Sequence, residues 1–208
     1  MKTKKPVLKV VTVALALIAT GSWAGVIIPD GNPVGITQTF TESGLGTSIS
    51  GVTLNLNISG GNNGDLYAYL SYDGVLVNLL NRPGVTTGNP LGYTDPGFNV
   101  TLSDGGYANI NSYGGNGGAQ LTGTYNAAGG SAAFGAFNTL NPNGTWTLFV
   151  ADLSGGDGSN VSTLNGWTLG ITAVPETVNL ALLVFGGVVT AAGCAARRAK
   201  VPCLPLFP

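Results

Sequence analysis

In Val52-Thr53-Leu54-Asn55-Leu56-Asn57-Ile58 apolar and polar residues alternate without a break. A β-strand turns successive side chains to opposite faces, so Val52, Leu54, Leu56 and Ile58 share one side of a sheet. Phe98-Asn99-Val100-Thr101-Leu102 follows the same rule. From Asp65 to Tyr72, Leu66, Ala68 and Leu70 oppose Tyr67 and Tyr69. Trp146-Thr147-Leu148-Phe149-Val150 and Trp167-Thr168-Leu169-Gly170-Ile171 each head an apolar face with tryptophan. Turn chemistry bounds these runs: Ser59-Gly60-Gly61-Asn62-Asn63-Gly64, Asp73-Gly74, Asn89-Pro90, Asn143-Gly144 and Ser154-Gly155-Gly156-Asp157-Gly158. No window shows a sustained helical period. Such a pattern predicts an all-β domain, an antiparallel sandwich or barrel.

The alternating runs lie in residues 25–174, where thirty residues are glycine. Without a strict period this is not collagen, and the alternation argues against a disordered linker. Residues 104–133 are nearly all Gly, Asn, Ala and Ser, with Tyr107, Ile110, Tyr113, Leu121 and Tyr125 as sparse anchors. The stretch reads as a long irregular crossover between sheets, as jelly-roll connections often are. Trp146 and Trp167, placed on alternating apolar faces, read as core residues rather than a sugar-stacking platform.

Charge is unevenly distributed. The formal total is −1, yet residues 25–174 hold Arg82 alone against eight carboxylates, a net of −7. A domain with so little positive charge excludes a nucleic-acid binder. The chain has no histidine, and its middle has one glutamate, Glu42. Most general acid–base and metal-hydrolase chemistry is thereby removed. The two cysteines, Cys194 and Cys203, lie beyond the domain, so it has no disulfide.

The positive charge sits at the ends. Lys2, Lys4 and Lys5, the apolar run Val10–Ala19 and the small residues before a cut after Ala24 predict a signal peptide over residues 1–24. Residues 178–196 form a second apolar run long enough to cross a bilayer as a helix. Arg197, Arg198 and Lys200 follow as a stop-transfer cluster that stays in the cytoplasm and leaves the domain outside. Residues 201–208 form a tail of unassigned role.

Val174-Pro175-Glu176, the apolar helix and the basic cluster together resemble the PEP-CTERM sorting signal of bacterial envelope proteins, here over residues 174–200. Thr177 stands where the family usually has a second proline, and the tail also departs from the pattern. The resemblance implies transient anchoring in the inner membrane, processing by an exosortase-type enzyme, and a final place at the envelope surface or outside the cell.

Residues 25–173 carry a second resemblance. Gly64-Asp65-Leu66-Tyr67-Ala68-Tyr69-Leu70-Ser71-Tyr72-Asp73-Gly74, Asn143-Gly144-Thr145-Trp146-Thr147-Leu148-Phe149-Val150-Ala151-Asp152 and Thr163-Leu164-Asn165-Gly166-Trp167-Thr168-Leu169-Gly170-Ile171 are similar to three motifs of the P domain (Homo B domain) of proprotein convertases. Tyr72-Asp73 replaces that family's Ser-Pro. The resemblance implies a jelly-roll-like β-sandwich that in convertases stabilises an adjacent protease. No protease is attached here, because a chain without histidine cannot assemble the catalytic set.

The aspartates are the candidate ligands. Asp65 opens a strand, Asp152 closes one and Asp157 follows in a glycine-rich loop, which suits either a shared Ca²⁺ or the capping of turns. Tyr67 and Tyr69, opposite the apolar face, are candidate ligand-binding aromatics. The expected function is non-enzymatic: an exported envelope protein acting in surface or extracellular-matrix interactions. The alternatives are a carbohydrate-binding module for secreted polysaccharide and an accessory domain for a separately encoded secreted protease.

Overall fold

The computed structural model describes residues 15–19 and 25–174. The leader's charged start and its cut site lie outside those residues. So do Pro175, Glu176, the apolar run 178–196, Arg197, Arg198, Lys200 and the tail. Among the described residues no helix is long and apolar enough to cross a membrane.

The described elements are strands and single 3₁₀ turns. In order they are β1 Leu15–Ala19, β2 Val26–Ile27, β3 Asn32–Glu42, β4 Ser48–Ser59, β5 Leu66–Tyr72, β6 Val75–Asn81, β7 Gly97–Ser103, β8 Leu121–Tyr125, β9 Gly144–Asp152 and β10 Thr163–Val174. The five alternating runs fall in β4, β5, β7, β9 and β10. One sheet of six strands has the order β1-β10-β4-β7-β8, with β2 also on β10. The other, of four strands, has the order β3-β9-β5-β6. The described part of the chain is all-β, as the alternation predicts. β1 falls inside the apolar run assigned to the leader and pairs antiparallel with β10, Leu15 opposite Ala173.

The inner faces fill one core. Leu54, Leu56 and Ile58 of β4 join Phe98, Val100 and Leu102 of β7 with Leu66, Ala68 and Leu70 of β5 and Leu148 and Val150 of β9. Trp146 and Trp167 are both buried, as expected of core residues. Tyr72 stacks on Trp146 at 4.0 Å between ring centres, and Phe137 meets that indole edge-on at 5.0 Å. The Tyr72 hydroxyl stays satisfied on the Asn141 carbonyl at 2.6 Å. Burying a large side chain of this kind contributes about 1.5–3 kcal/mol.

Two expectations need correction. Pairing is not antiparallel throughout, since β7 and β8 run parallel, Phe98 opposite Leu121 through Leu102 opposite Tyr125. Residues 126–133 do cross toward the other sheet, Ala128 N donating to Leu79 O of β6 at 3.0 Å, but residues 104–125 do not. These leave β7, pass through a 3₁₀ turn at Ile110–Ser112, and return as β8 on the same sheet. A parallel neighbour demands a connection that retraces the strand's length, and residues 104–120 supply it. Ile110 and Leu121 are buried, whereas Tyr107 is exposed. Asparagines replace a regular ladder there: Asn109 Nδ2 donates to Ala127 O at 3.1 Å and Asn126 Nδ2 to Tyr107 O.

Candidate functional site

Four aspartates converge at one end of the sandwich. β3 and β5 both pair with the end of β9, Asn32 and Leu66 each opposite Asp152. The residues just before β3 and β5 are thereby drawn to where β9 runs into the Ser154–Gly158 loop. Asp30, Asp152 and Asp157 each offer a carboxylate oxygen within 4.8 Å of the others. Asp65 lies beside them. Of the expected trio, Asp152 and Asp157 belong to this close set together with Asp30, and Asp65 is its neighbour.

Each carboxylate is held differently. Asp152 is fully buried. Its Oδ1 accepts from Ser154 N at 3.2 Å, the expected turn cap, and its Oδ2 has only the Ser162 hydroxyl at 3.4 Å. Asp30 Oδ2 accepts from Gly156 N at 3.2 Å. Asn62 Nδ2 donates to Asp65 Oδ2 at 3.3 Å and also to Asp157 Oδ1. Asp157 Oδ2 is buried with no hydrogen-bond partner. Gly61, at φ 63°, lets this turn pack close, since a Cβ there would collide with the Ser162 hydroxyl and lie 3.2 Å from Asp157 Oδ2.

One cation faces this charge, at some distance: Arg82 Nη2 is 3.7 Å from Asp65 Oδ1. Burial, opposed by the Ser154 amide and then reinforced by Asp157, Asp65 and Asp30, pushes the Asp152 carboxyl up to about 6. Burial first, then Asp65 and Asp30, raises Asp157 as well. Asp65 is raised mainly by burial, against the pull of Asn62 and Arg82. Repulsion among these groups is left largely uncompensated by the protein's own side chains.

The donor set fits a hard cation. The group supplies oxygen ligands, and no histidine exists in the chain to favour a softer metal. Oxygens on opposite sides of Ca²⁺ are about 5 Å apart, which spans the observed cluster. Asp30, Asp152 and Asp157 would hold the ion, with Asp65 and Asn62 at the rim of a cleft of about 190 Å³ lined also by Ser154 and Gly155. A Ca²⁺ there would stabilise the junction of β3, β5 and β9.

A second cluster lies on the outer face of the four-stranded sheet. Tyr67 and Tyr69 are half-buried, opposite the core face as expected, but they are not alone. Phe149 of β9 stacks on Tyr69 at 4.8 Å and 16°, and Tyr67 lies edge-on to both at 6.3 and 6.4 Å. The Phe149 ring lies over Gly35, where a Cβ would come within 2.9 Å of it. Phe149 escaped the sequence reading although its alternation with Leu148 and Val150 already puts it on the tyrosine face.

Of the sorting motif, Val174 ends β10 and is exposed. No family model matches the chain, and no curated protein does. Among solved structures, the complex of the Aeromonas sobria serine protease with the chaperone ORF2 aligns over 78% of this chain and 26% of that one, at 15% identity and a TM-score of 0.42. A structure described as the serine protease of Aeromonas sobria aligns over 82% and 28%, at 15% identity and a TM-score of 0.41. This chain spans about a quarter of the length of either, and likeness at that level assigns neither family nor activity.

Proposed function

We propose that this chain is an exported, non-catalytic envelope protein that binds secreted polysaccharide through the aromatic strip Tyr67-Tyr69-Phe149. The observation that carries the reading is the stacked Tyr69–Phe149 pair, its rings near-parallel at 4.8 Å, with Tyr67 edge-on beside it on the outer surface of the sheet. Flat aromatic faces of this kind pack against the C–H faces of sugar rings, and an apolar cluster placed outside the core marks a contact surface. A non-catalytic role is supported by the lack of histidine and by the single glutamate of the domain. Glu42 is buried and accepts from the Ser43 amide at 3.1 Å.

Export rests on the leader, and surface placement rests on the PEP-CTERM-like order of Val174-Pro175-Glu176, apolar run and Arg197-Arg198. The partners in this reading are the inner membrane, as a transient anchor, and an exosortase-type enzyme. The P-domain-like, jelly-roll-like description rests on the three motifs and on β3 and β4 pairing with β9 and β10. The test is retention of the chain in gels containing polysaccharide. Retardation should fall at least about tenfold in Tyr67→Ala and Tyr69→Ala. Unchanged retardation in both variants would remove the strip from the account.

A further inference from the structure

The outer face of the six-stranded sheet carries no charge. β4, β7, β8 and β10 contain no Asp, Glu, Lys or Arg, although residues 25–174 hold eight carboxylates and Arg82. Exposed sheet surfaces ordinarily use charges to stay soluble and to block unwanted strand pairing. Here their place is taken by rows of amides and hydroxyls. Thr168, Asn55 and Thr101 stand side by side on β10, β4 and β7. Asn55 Nδ2 donates to Thr168 Oγ1 at 2.9 Å, and Thr101 Oγ1 donates to Asn55 Oδ1 at 2.7 Å.

In the next row Gly166, Asn57 and Asn99 lie opposite one another. Gly166 adds no side chain, which leaves an open cleft of about 210 Å³ floored by Leu56 and Trp167 and rimmed by Asn55, Asn57, Asn99 and Thr168. Asn99 is exposed on this row. Asn57 Oδ1 already accepts from Asn165 Nδ2 at 3.2 Å, which leaves the exposed Asn99 as the amide that can both donate to and accept from a ligand made of hydroxyl groups. Charge selects among such ligands. An anionic polymer would meet a −7 domain with no local cation to offset it. A cationic one would be drawn to the aspartate end.

We propose that this face binds an uncharged polysaccharide strand, seated across Asn55, Asn57, Asn99 and Thr168. The inference rests on the polysaccharide reading above and narrows its ligand to neutral glycans. It also adds a second surface, on the sheet opposite the aromatic strip. A domain with one ligand face on each sheet bridges two strands, and bridging multiplies retention in a polymer network.

The experiment is electrophoresis of the purified full-length chain through gels holding hydroxyethylcellulose or dextran, as neutral probes, or alginate, as an anionic one. Retardation in the neutral gels and none in alginate is expected. Asn99→Asp and Asn99→Arg should each weaken neutral retention about tenfold at an unchanged melting temperature. Retention lost in Tyr69→Ala but intact in both Asn99 variants overturns this face and leaves the aromatic strip standing. Equal retention in alginate overturns the neutral class. A sugar-free dimer that Asn99→Arg dissociates gives the face to a second copy instead. No retention in any gel overturns both surfaces.

Discussion

Asp95 and Asp152 are both buried carboxylates, and their surroundings are opposite. Asp95 accepts from the Tyr113 hydroxyl at 2.8 Å, Asn116 N at 2.7 Å and Gly118 N at 2.8 Å. Burial pushes the Tyr113 phenol well above its ordinary range, so it remains a donor to Asp95. Asn63 Nδ2 closes the network on the Tyr113 oxygen at 3.0 Å. The carboxylate thus organises the Gly114–Gly118 loop from within. Asp152 has one amide, one distant hydroxyl and three other carboxylates for company. A buried carboxylate can be satisfied by a loop that folds around it, or it can be left short of partners where an ion could complete it. Asp95 has the first arrangement and Asp152 the second.

The comparison can be broken by experiment. The largest effect belongs to Asp95→Ala, which orphans three donors and should cost about 3–5 kcal/mol. The melting temperature should then fall by roughly 10 °C in EDTA and in calcium alike. A calcium-dependent fall would erase the contrast between the two sites. Next, millimolar Ca²⁺ should raise the melting temperature over EDTA by about 5–10 °C, as about 2.7 kcal/mol at a hundred times Kd implies. Asp30→Asn and Asp152→Asn should each abolish that rise. If both variants keep it, the ion sits elsewhere.

A third effect is of pH. With chelator present, Asp152 at about 6 against an ordinary 3.8 means that the folded state takes up its proton first. Stability is then greater below the ordinary value and is lost as pH rises toward 6, by on the order of 2 kcal/mol. Asp65 and Asp157 shift the same way, and Arg82 opposes them at Asp65 alone. Melting in EDTA should therefore occur at higher temperature at pH 4.5 than at pH 7.5, and calcium should flatten the difference. A melting curve in EDTA that shifts upward with pH would contradict the picture of uncompensated repulsion. The smallest effect is Phe149→Ala, which removes the ring stacked on Tyr69. It should cost about 1 kcal/mol and weaken polysaccharide retention without altering the calcium response.

What was legible in the sequence follows the same physics. β4, β7 and β10 alternate cleanly because one face meets the core and the other meets solvent. β3 was not recognised, since it is an edge strand interrupted by an irregularity between Asn32 and Ile36, and its half-exposed residues blur the pattern. β6 hides its alternation because Leu79 and Leu80 are both buried, beside the register shift at Ala68–Tyr69. The Asp73-Gly74 signal was readable and real: both residues have positive φ, 47° and 77°, as a two-residue hairpin turn requires. Asp65, Asp152 and Asp157 were visible as turn-flanking acids. Asp30 was not, because its membership depends on β3 pairing with the end of β9. Asp95 gave no local sign, since its three donors come from residues 113–118.

β10 closes the chain's described part, yet it lies inside its sheet, between β4 and the short strands β1 and β2. Until residues 163–174 arrive, β4 keeps an open edge, and its apolar face lacks Trp167, Leu169 and Ile171. Pairing across so long a loop is slow compared with closing the β5–β6 hairpin. A chain delivered N-terminus first therefore finishes its core last, at the strand that runs directly into Val174-Pro175-Glu176. On the sorting role proposed above, the motif emerges with the last strand of the core and before that strand has paired, so folding and processing compete in time.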